Sequence, residues 1–349
     1  MRRPLTAAAA LAALLVLASA PTGAQAPDNL TLTAVDGLKV GHVTLTGRPT
    51  GCTVILTDGN AVGGVAQMGG APGTRETDLL SPMNMVDKVN AVVLAGGSAY
   101  GLDAASGVMR WLEEHDMGWD VRIAKVPIVP AAILFDLPVG GNPKIRPDAQ
   151  CGFDAAERAS AAPVAEGSVG AGAGATVGKM GGPMRSMRGG LGSWAIRMPN
   201  GLVVAAIVAV NAVGDVIDPD TGAIVAGVRG EDGKTFADAR KLLRSGAFAR
   251  PRAGANTTIG LVATNAKLTK AEATRVAIMA NDGFARAIYP SHTMGDGDTV
   301  FSLATGHWDG QADVTIVGAL AADAMARAIV RGAQEATGLP GIPAVRDLK

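Results

Sequence analysis

Residues 193–215 restrict the fold more than any other stretch of the chain. Two apolar runs, SWAIRM and GLVVAAIVAVNAV, flank the sequence Pro199-Asn200-Gly201. An Asn-Gly turn between two such runs predicts a β-hairpin, whose strands pair antiparallel. Helical patterns also recur along the chain, so we predict an α+β layered sandwich and not a purely parallel sheet.

The other predicted elements are spread over the whole chain. Strands are predicted at residues 39–45, 52–57, 91–94 and 121–123, and helices at residues 100–115, 149–160, 235–245, 269–287 and 312–338. The fourth helix opens with Thr269 and Glu272, whose spacing is that of a capping box.

The amino-terminal segment has the pattern of a secretory signal peptide. Arg2 and Arg3 precede an uncharged apolar run, and small residues close the segment at Ala24-Gln25-Ala26. The run is about 16 residues long, shorter than the roughly 20 that a membrane-spanning helix needs. We therefore expect residues 1–26 to be removed, leaving a single domain, 27–349, that is periplasmic or secreted and not held in a membrane.

Charge and cysteine content exclude some partners and leave one question open. Lys plus Arg and Asp plus Glu both number 31, without long blocks of one sign, which argues against a nucleic-acid or anionic-membrane partner. The four histidines lack zinc-site spacing, so no metal is predicted. Cys52 and Cys151 either pair in an oxidising compartment or are two small buried apolar residues.

The stretch RAGANTTIGLVATN places two hydroxyls directly after Asn256, at the start of an apolar strand. Thr is common in strands and Asn in turns, so an ordinary turn and strand would explain the pattern. The alternative is that the chain cuts its own Asn256-Thr257 bond. A new amino-terminal Thr257 would then carry nucleophile and base together, because its α-amine can take the proton from Oγ.

Two further stretches contain polar residues that could act near such a threonine. AGAGATVGKM lacks the first glycine and the final Ser or Thr of a phosphate loop, but its glycines place Lys179 at the end of a crowded segment. HTMGDGDTVF carries Asp296 and Asp298 just before a strand. These acids could be solvated turn residues, metal ligands, or part of a charge network with a lysine and an amine.

Seven blocks of sequence together resemble a known family. They are GLKVGHVTLTGRPTGCTVIL, GGAPGTRETDLL, NAVVLAGGSAYGLDAASGV, GAGATVGKM, AVNAVG, ANTTIGLVATNAKL and HTMGDGDT. In this order they resemble the DmpA-like L-aminopeptidase/D-esterase family, which includes β-peptidyl aminopeptidases and the nylon-oligomer hydrolase NylC. The resemblance implies a four-layer αββα sandwich of the DmpA and ornithine acetyltransferase type. It also implies self-cleavage into two chains and a homo-oligomer, often a tetramer of αβ units.

The resemblance assigns roles to particular residues. Thr257 corresponds to the nucleophile and Asn256 to the residue before the cut, which gives an α chain of residues 27–256 and a β chain of residues 257–349. The polar residues that correspond to those around the nucleophile in the NylC-like branch are Lys179, Asn211, Asp296 and Asp298.

These assignments imply a hydrolytic mechanism without a metal or an organic cofactor. Asp296 and Asp298 are expected to anchor the ammonium of Lys179 and to orient the α-amine of Thr257. The side-chain amide of Asn211 is expected to donate to the oxyanion. Acyl transfer to Thr257 and attack by water would then complete the hydrolysis of a small peptide or amide.

Two differences from the DmpA-like aminopeptidases that the chain resembles leave the identity of the substrate open. Thr257 stands where they use Ser, and Phe135 stands where relatives carry a Tyr that can stabilise the oxyanion. We predict an exported, self-cleaving hydrolase of aminopeptidase type. The alternatives are an ω-amino-acid-oligomer amidase of the NylC type, an acyltransferase of the ornithine acetyltransferase type, and an uncleaved binding protein. An α-peptide, a β-peptide, a D-amino-acid ester or amide and an ω-amino-acid oligomer all remain possible substrates.

Overall fold

The structure is a computed structural model that describes residues 29–249 and 256–348. The predicted signal peptide, residues 1–26, lies outside the described residues. The predicted cleavage point lies inside them, because Asn256 and Thr257 are both described.

The described backbone forms strands, α-helices and short 3-10 helices throughout. The strands are β1 (Leu38–Thr44), β2 (Gly51–Thr57), β3 (Val62–Gln67), β4 (Thr74–Arg75), β5 (Ala91–Ala95), β6 (Trp119–Asp120), β7 (Lys125–Val126), β8 (Ala131–Ile133), β9 (Thr176–Val177), β10 (Met187–Arg188), β11 (Leu191–Arg197), β12 (Val203–Ala209), β13 (Asp215–Ile217), β14 (Ile224–Ala226), β15 (Ile259–Thr264), β16 (Ile288–Tyr289) and β17 (Thr299–Ala304). The α-helices are α1 (Ala104–Glu114), α2 (Ala149–Glu157), α3 (Ala239–Ser245), α4 (Lys270–Ala287) and α5 (Val314–Gln334). The 3-10 helices span Leu32–Ala34, Asp78–Leu80, Ser98–Asp103, Gly170–Gly172, Lys179–Gly181, Pro183–Arg185 and Val345–Asp347.

Two five-stranded mixed sheets form the centre of the molecule. The first has the strand order β1-β2-β5-β8-β4, and the second has the order β11-β12-β15-β17-β3. Each sheet contains one parallel pair, β5 with β8 and β15 with β17, among antiparallel neighbours. The predicted hairpin is confirmed as β11 and β12, which pair antiparallel from Leu191 opposite Ala209 to Arg197 opposite Val203.

The two sheets pack face to face, and helices cover their outer faces. The inter-sheet core joins Ile55 and Leu94 of the first sheet to Ile207 and Phe301 of the second. A second core lies between the first sheet and α1 and α2, and a third between the second sheet and α4 and α5. The predicted α+β fold with four αββα layers is confirmed.

Small residues allow the helical layer over the first sheet to pack closely. A Cβ added to Gly107 of α1 would lie 1.6 Å from the carbonyl oxygen of Ala149 in α2. A Cβ added to Gly152 of α2 would lie 1.8 Å from the carbonyl oxygen of Ala104 in α1. Only glycine fits at these crossings, which accounts for part of the high glycine content.

Most predicted elements are observed, with two differences. The capping box of α4 is present: the Thr269 side chain accepts from the amide of Glu272, and Glu272 accepts from the amide of Thr269. The predicted strand at residues 121–123 is wrong. Asp120 Oδ1 accepts a hydrogen bond of 2.6 Å from the amide of Arg122, whose φ is +72°, and this closes a turn between β6 and β7.

The second difference concerns the helix predicted at residues 235–245, which begins only at Ala239. Asp238 precedes it and accepts from the amide of Arg240, so the cap fixes a later start than the apolar pattern indicates. No helix within the described residues is long and apolar enough to cross a membrane.

Cys52 in β2 and Cys151 in α2 form a disulfide bond. The pairing decides between the two alternatives that the sequence leaves open. It ties the outer helical layer to the middle of the first sheet, across a sequence separation of 99 residues.

We expect removal of this disulfide to destabilise the protein. Closing so long a loop restricts the unfolded chain, so Cys52→Ala/Cys151→Ala should lose about 2–4 kcal/mol of unfolding free energy. Urea unfolding under non-reducing conditions measures this loss. Each single variant should show a similar loss, because either one breaks the bond. A double variant with the wild-type midpoint would show that the bond contributes nothing to stability.

Candidate active site

The site lies at one edge of the second sheet, where strand register brings three loops together. Ala209 of β12 pairs with Ile259 of β15, so Asn211 falls beside Thr257, and the amide of Thr257 donates to the Asn211 carbonyl at 3.1 Å. On the other side, Ile259 pairs in parallel with Thr299 of β17. This pairing sets Gly297 beside Thr257.

The bond predicted to be cut is buried with its attacking group already in contact. Asn256 and Thr257 are 1% and 2% exposed. The hydroxyl of Thr257 donates to the carbonyl oxygen of Asn256. The amide of Gly297 donates to the same carbonyl oxygen at 3.1 Å and lies 3.2 Å from Thr257 Oγ1. Nucleophile, carbonyl and oxyanion donor are therefore present together, which is the arrangement that acyl transfer requires.

Gly297 can approach this closely because it has no side chain. A Cβ at this position would lie 2.7 Å from the carbonyl oxygen of Ala71 and 2.8 Å from Thr257 Oγ1. The backbone donor at the scissile carbonyl thus depends on glycine.

Lys179 reaches the site through Asn211. Its Nζ donates to Asn211 Oδ1 at 2.7 Å and to the Asn211 carbonyl oxygen at 3.1 Å. That carbonyl also accepts from the amide of Thr257, so Lys179 and Thr257 share one acceptor. Within the described chain, no carboxylate oxygen lies within 4.0 Å of Lys179 Nζ. Asp296 and Asp298 therefore act on Lys179 through their charges, which favour the ammonium, and not through an ion-pair contact.

Burial changes the charge state of Lys179. Desolvation lowers the pKa of the Lys179 ammonium to about 7, although the charges of Asp296, Asp136 and Asp298 act in the opposite direction. Near neutral pH a substantial fraction of Lys179 is thus a free amine, which can accept a proton.

Both polar atoms of the Asn211 side chain form hydrogen bonds within the protein. Its Oδ1 accepts from Lys179 and from the amide of Thr176 at 3.0 Å, and its Nδ2 donates to the carbonyl of Phe135 at 3.1 Å. One of the two N–H donors of Asn211 Nδ2 is therefore used by the Phe135 carbonyl in the uncut chain. At the Asn256 carbonyl of the uncut chain, the donor is the amide of Gly297.

Asp296 and Asp298 are buried, 2% and 3% exposed, so they are not solvated turn residues. Asp296 Oδ2 accepts from the amide of Thr293 at 2.8 Å, while its Oδ1 is buried without a hydrogen-bond partner. Burial, and then the charge of Asp298, raise the pKa of the Asp296 carboxyl above its usual range. Asp298 Oδ1 accepts from the amide of Thr258 at 2.8 Å.

No group of three or more His, Cys, Asp or Glu side chains in residues 29–249 and 256–348 is placed to hold a metal ion. The acids at this edge of the sheet bind backbone amides instead.

Three residues of the site do not follow from sequence patterns. Gly297 acts through its backbone, which no residue type reveals. His292 contacts Asp298, but it lies six positions before it in the chain and no familiar spacing links them. Asp136, fully buried in an ion pair with Arg48 at 2.9 Å, follows Phe135 and acts on Lys179 only through its charge.

Comparisons with known proteins agree with this fold. The model of Peptidase family S58 matches residues 31–345. An uncharacterised aminopeptidase of Mycobacterium tuberculosis is 43% identical over 343 residues, which cover 91% of this chain and 97% of that protein. A 6-aminohexanoate-oligomer endohydrolase of Kocuria sp. is 31% identical over 315 residues, which cover 85% of this chain and 84% of that protein.

A solved structure shares the fold. The L-aminopeptidase D-Ala-esterase/amidase from Ochrobactrum anthropi, described as a variant of the Ntn hydrolase fold, matches with a TM-score of 0.66. The match covers 93% of this chain and 91% of that one, at 18% identity. From its family match and its mycobacterial relatives, the chain belongs to peptidase family S58, and it is an enzyme with an Ntn-hydrolase-like αββα fold.

Proposed function

We propose that this protein is an exported hydrolase of aminopeptidase type that cuts its own Asn256-Thr257 bond and then uses Thr257 as an amino-terminal nucleophile. The observation that carries the proposal is the contact of Thr257 Oγ with the Asn256 carbonyl, whose oxygen also accepts from Gly297. An ordinary turn before a strand would not need a buried hydroxyl held against the preceding carbonyl. The disulfide supports export, because such bonds persist in oxidising compartments.

Self-cleavage begins with attack of Thr257 Oγ on the carbonyl carbon of Asn256. The hydroxyl proton passes to a base, and we assign that role to Lys179, whose pKa is lowered to about 7 and whose Nζ binds the same Asn211 carbonyl as the Thr257 amide. The developing oxyanion accepts from Gly297. Cleavage of the C–N bond returns a proton to the Thr257 nitrogen and leaves an ester, which water splits into an Asn256 carboxylate and a free hydroxyl.

Turnover repeats this chemistry on a foreign amide. The new α-amine of Thr257, with a reference pKa of about 7.7 to 8.0, takes the proton from Oγ as Oγ bonds to the substrate carbonyl carbon. The amine of the substrate leaves with that proton. Water then releases the acyl group as a carboxylic acid and restores Thr257.

The substrate class follows from relatives and from two residues. Relatives carry the names aminopeptidase and 6-aminohexanoate-oligomer endohydrolase, which supports small peptides and amides as substrates. Thr257 and Phe135 support an alternative to the aminopeptidase, namely an ω-amino-acid-oligomer amidase. An acyltransferase of the ornithine acetyltransferase type fits poorly with an exported chain.

We also propose a homo-oligomer, a tetramer of αβ units, which light scattering after gel filtration would test.

Replacing the nucleophile should stop both reactions together. Thr257→Ala should stay one uncut chain, fold normally, and lose amidase activity by about 10⁴-fold or more, because the attacking oxygen is absent. Thr257→Ser should cleave and keep residual activity. Mass spectrometry of the wild type should show a fragment of residues 257–349.

The matched control is Thr258→Ala. Thr258 Oγ1 is also buried but has no hydrogen-bond partner, so its loss should leave cleavage intact. Active wild-type protein that remains one chain, or an active Thr257→Ala, would show that Thr257 is not the nucleophile.

The pH dependence of self-cleavage should follow Lys179. The free amine predominates above its pKa of about 7, so the cleavage rate should rise as pH increases through about 7. Lys179→Arg stays protonated and should cleave slowly at every pH, as should Lys179→Met. Time courses of precursor loss from pH 5.5 to 8.5 measure these rates. Wild-type cleavage by Lys179→Arg would show that this residue acts as a fixed cation and not as a base.

We expect tolerance of acyl groups that lack an L-α-amine. Phe135 offers no hydroxyl to the substrate, and sites without such a polar contact discriminate by only about 10- to 200-fold. A panel of α-, β- and 6-aminohexanoyl amides should therefore show kcat/KM values within about 200-fold of one another. Activity on L-α-amino amides alone would favour an ordinary aminopeptidase.

A further inference from the structure

His292 binds one of the two site carboxylates twice. Its backbone amide donates to Asp298 Oδ2 at 2.9 Å, and its ring Nδ1 lies 3.0 Å from the same oxygen. A carboxylate is an acceptor only, so the ring donates to Asp298 from Nδ1. The φ of His292 is +56°, an uncommon conformation for a residue other than glycine, and it lets both donors reach one oxygen.

The other oxygen of Asp298 reaches the nucleophile's neighbour. Asp298 Oδ1 accepts from the amide of Thr258 at 2.8 Å, and the amide of Thr299 donates to the Thr258 carbonyl at 3.3 Å. The carboxylate thus links His292 to the backbone that carries Thr257. Rotation of Asp298 would break its hydrogen bond to Thr258.

The ring of His292 is itself fixed by packing. It stacks on Phe284 of α4 with ring centroids 5.6 Å apart and an interplanar angle of 17°. The charged groups that act on it are Asp298 and Asp296, and α4 adds the uncharged carbonyl of Asn281. Burial lowers the pKa of His292. The hydrogen bond and charge of Asp298, together with the Asn281 carbonyl and the charge of Asp296, outweigh burial, so the pKa of His292 is raised.

We propose that His292 is a positioning residue for Thr257, acting through Asp298. The imidazole is held between Phe284 and the carboxylate, and it fixes the position of Asp298. Asp298 in turn holds the Thr258 amide, which keeps Thr257 Oγ against the Asn256 carbonyl that it attacks. The inference rests on the proposed function of Thr257. It assigns His292 no contact with the substrate.

Two replacements separate the hydrogen bond from the packing. His292→Phe keeps a flat ring against Phe284 but cannot donate to Asp298. His292→Asn loses the stacked ring but keeps a donor, and Asn tolerates a positive φ well. We expect His292→Phe to lower kcat and the self-cleavage rate by about 10- to 100-fold with KM changed little, because a small displacement of the nucleophile has such a cost. His292→Asn should restore most of the rate.

His307→Phe is the matched control. His307 Nε2 lies 2.8 Å from Asp58 Oδ2, so this change removes another His-Asp contact. His307 follows β17 at the end of the strand opposite the site. Its loss should leave kcat and self-cleavage unchanged. Equal rates for His292→Phe and the wild type, or an equal loss in His292→Phe and His292→Asn, would overturn the proposal.

A second measurement does not depend on turnover. In uncut Thr257→Ala protein, hydrogen-deuterium exchange at the Thr258 amide should become about 10-fold faster when His292→Phe is added, since its acceptor is no longer held. His292→Asn should preserve slow exchange. Unchanged exchange in His292→Phe would overturn the role of His292 while leaving the proposed function intact. A wild-type protein that neither cleaves nor hydrolyses amides would defeat the proposed function itself.

Discussion

The parallel pairing of β15 with β17 is the interaction on which the site depends. It aligns the loop before β15 with the loop before β17, so that Gly297 stands beside Thr257. Thr257 contributes a hydroxyl, which is a weak nucleophile by itself, and Gly297 contributes a backbone amide that can donate to the carbonyl oxygen. A shift of the register by one residue would turn every side chain to the opposite face and remove the amide from the carbonyl.

Low polarity around the site sets its proton chemistry. Lys179, Asp296 and Asp298 stand together among buried neighbours, and the resulting desolvation moves the pKa values of Lys179 and Asp296 towards neutrality from opposite sides. A lysine and a carboxyl that both titrate near neutral pH can exchange protons with a reacting group at little cost. Direct ion pairing would have held Lys179 charged, and its contact with Asn211 avoids that outcome.

Sequence patterns predicted the parts of this protein that local chemistry determines. The Asn-Gly turn predicts the hairpin, and the spacing of Thr269 and Glu272 predicts the capping box. The αββα layers are implied by the family resemblance. The residues carried over from that resemblance do gather at one edge of the second sheet. What could not be predicted is which atoms meet, because contacts such as Lys179 with Asn211 or Gly297 with Asn256 depend on strand register between distant segments. The sequence does not predict the turn at Arg122, because Val121 and Ile123 on either side of it are typical strand residues.

With the proposed self-cleavage, the burial of Thr257 would make the uncut chain a zymogen. With 2% of the residue exposed and its hydroxyl donating to the preceding carbonyl, Thr257 Oγ is out of reach of an external amide in the uncut chain. Folding must come first, since the Gly297 donor exists only after β15 and β17 have paired. With the proposed mechanism, a chain that has not yet folded would be harmless to other peptides, and it would need no separate inhibitor or activating protease.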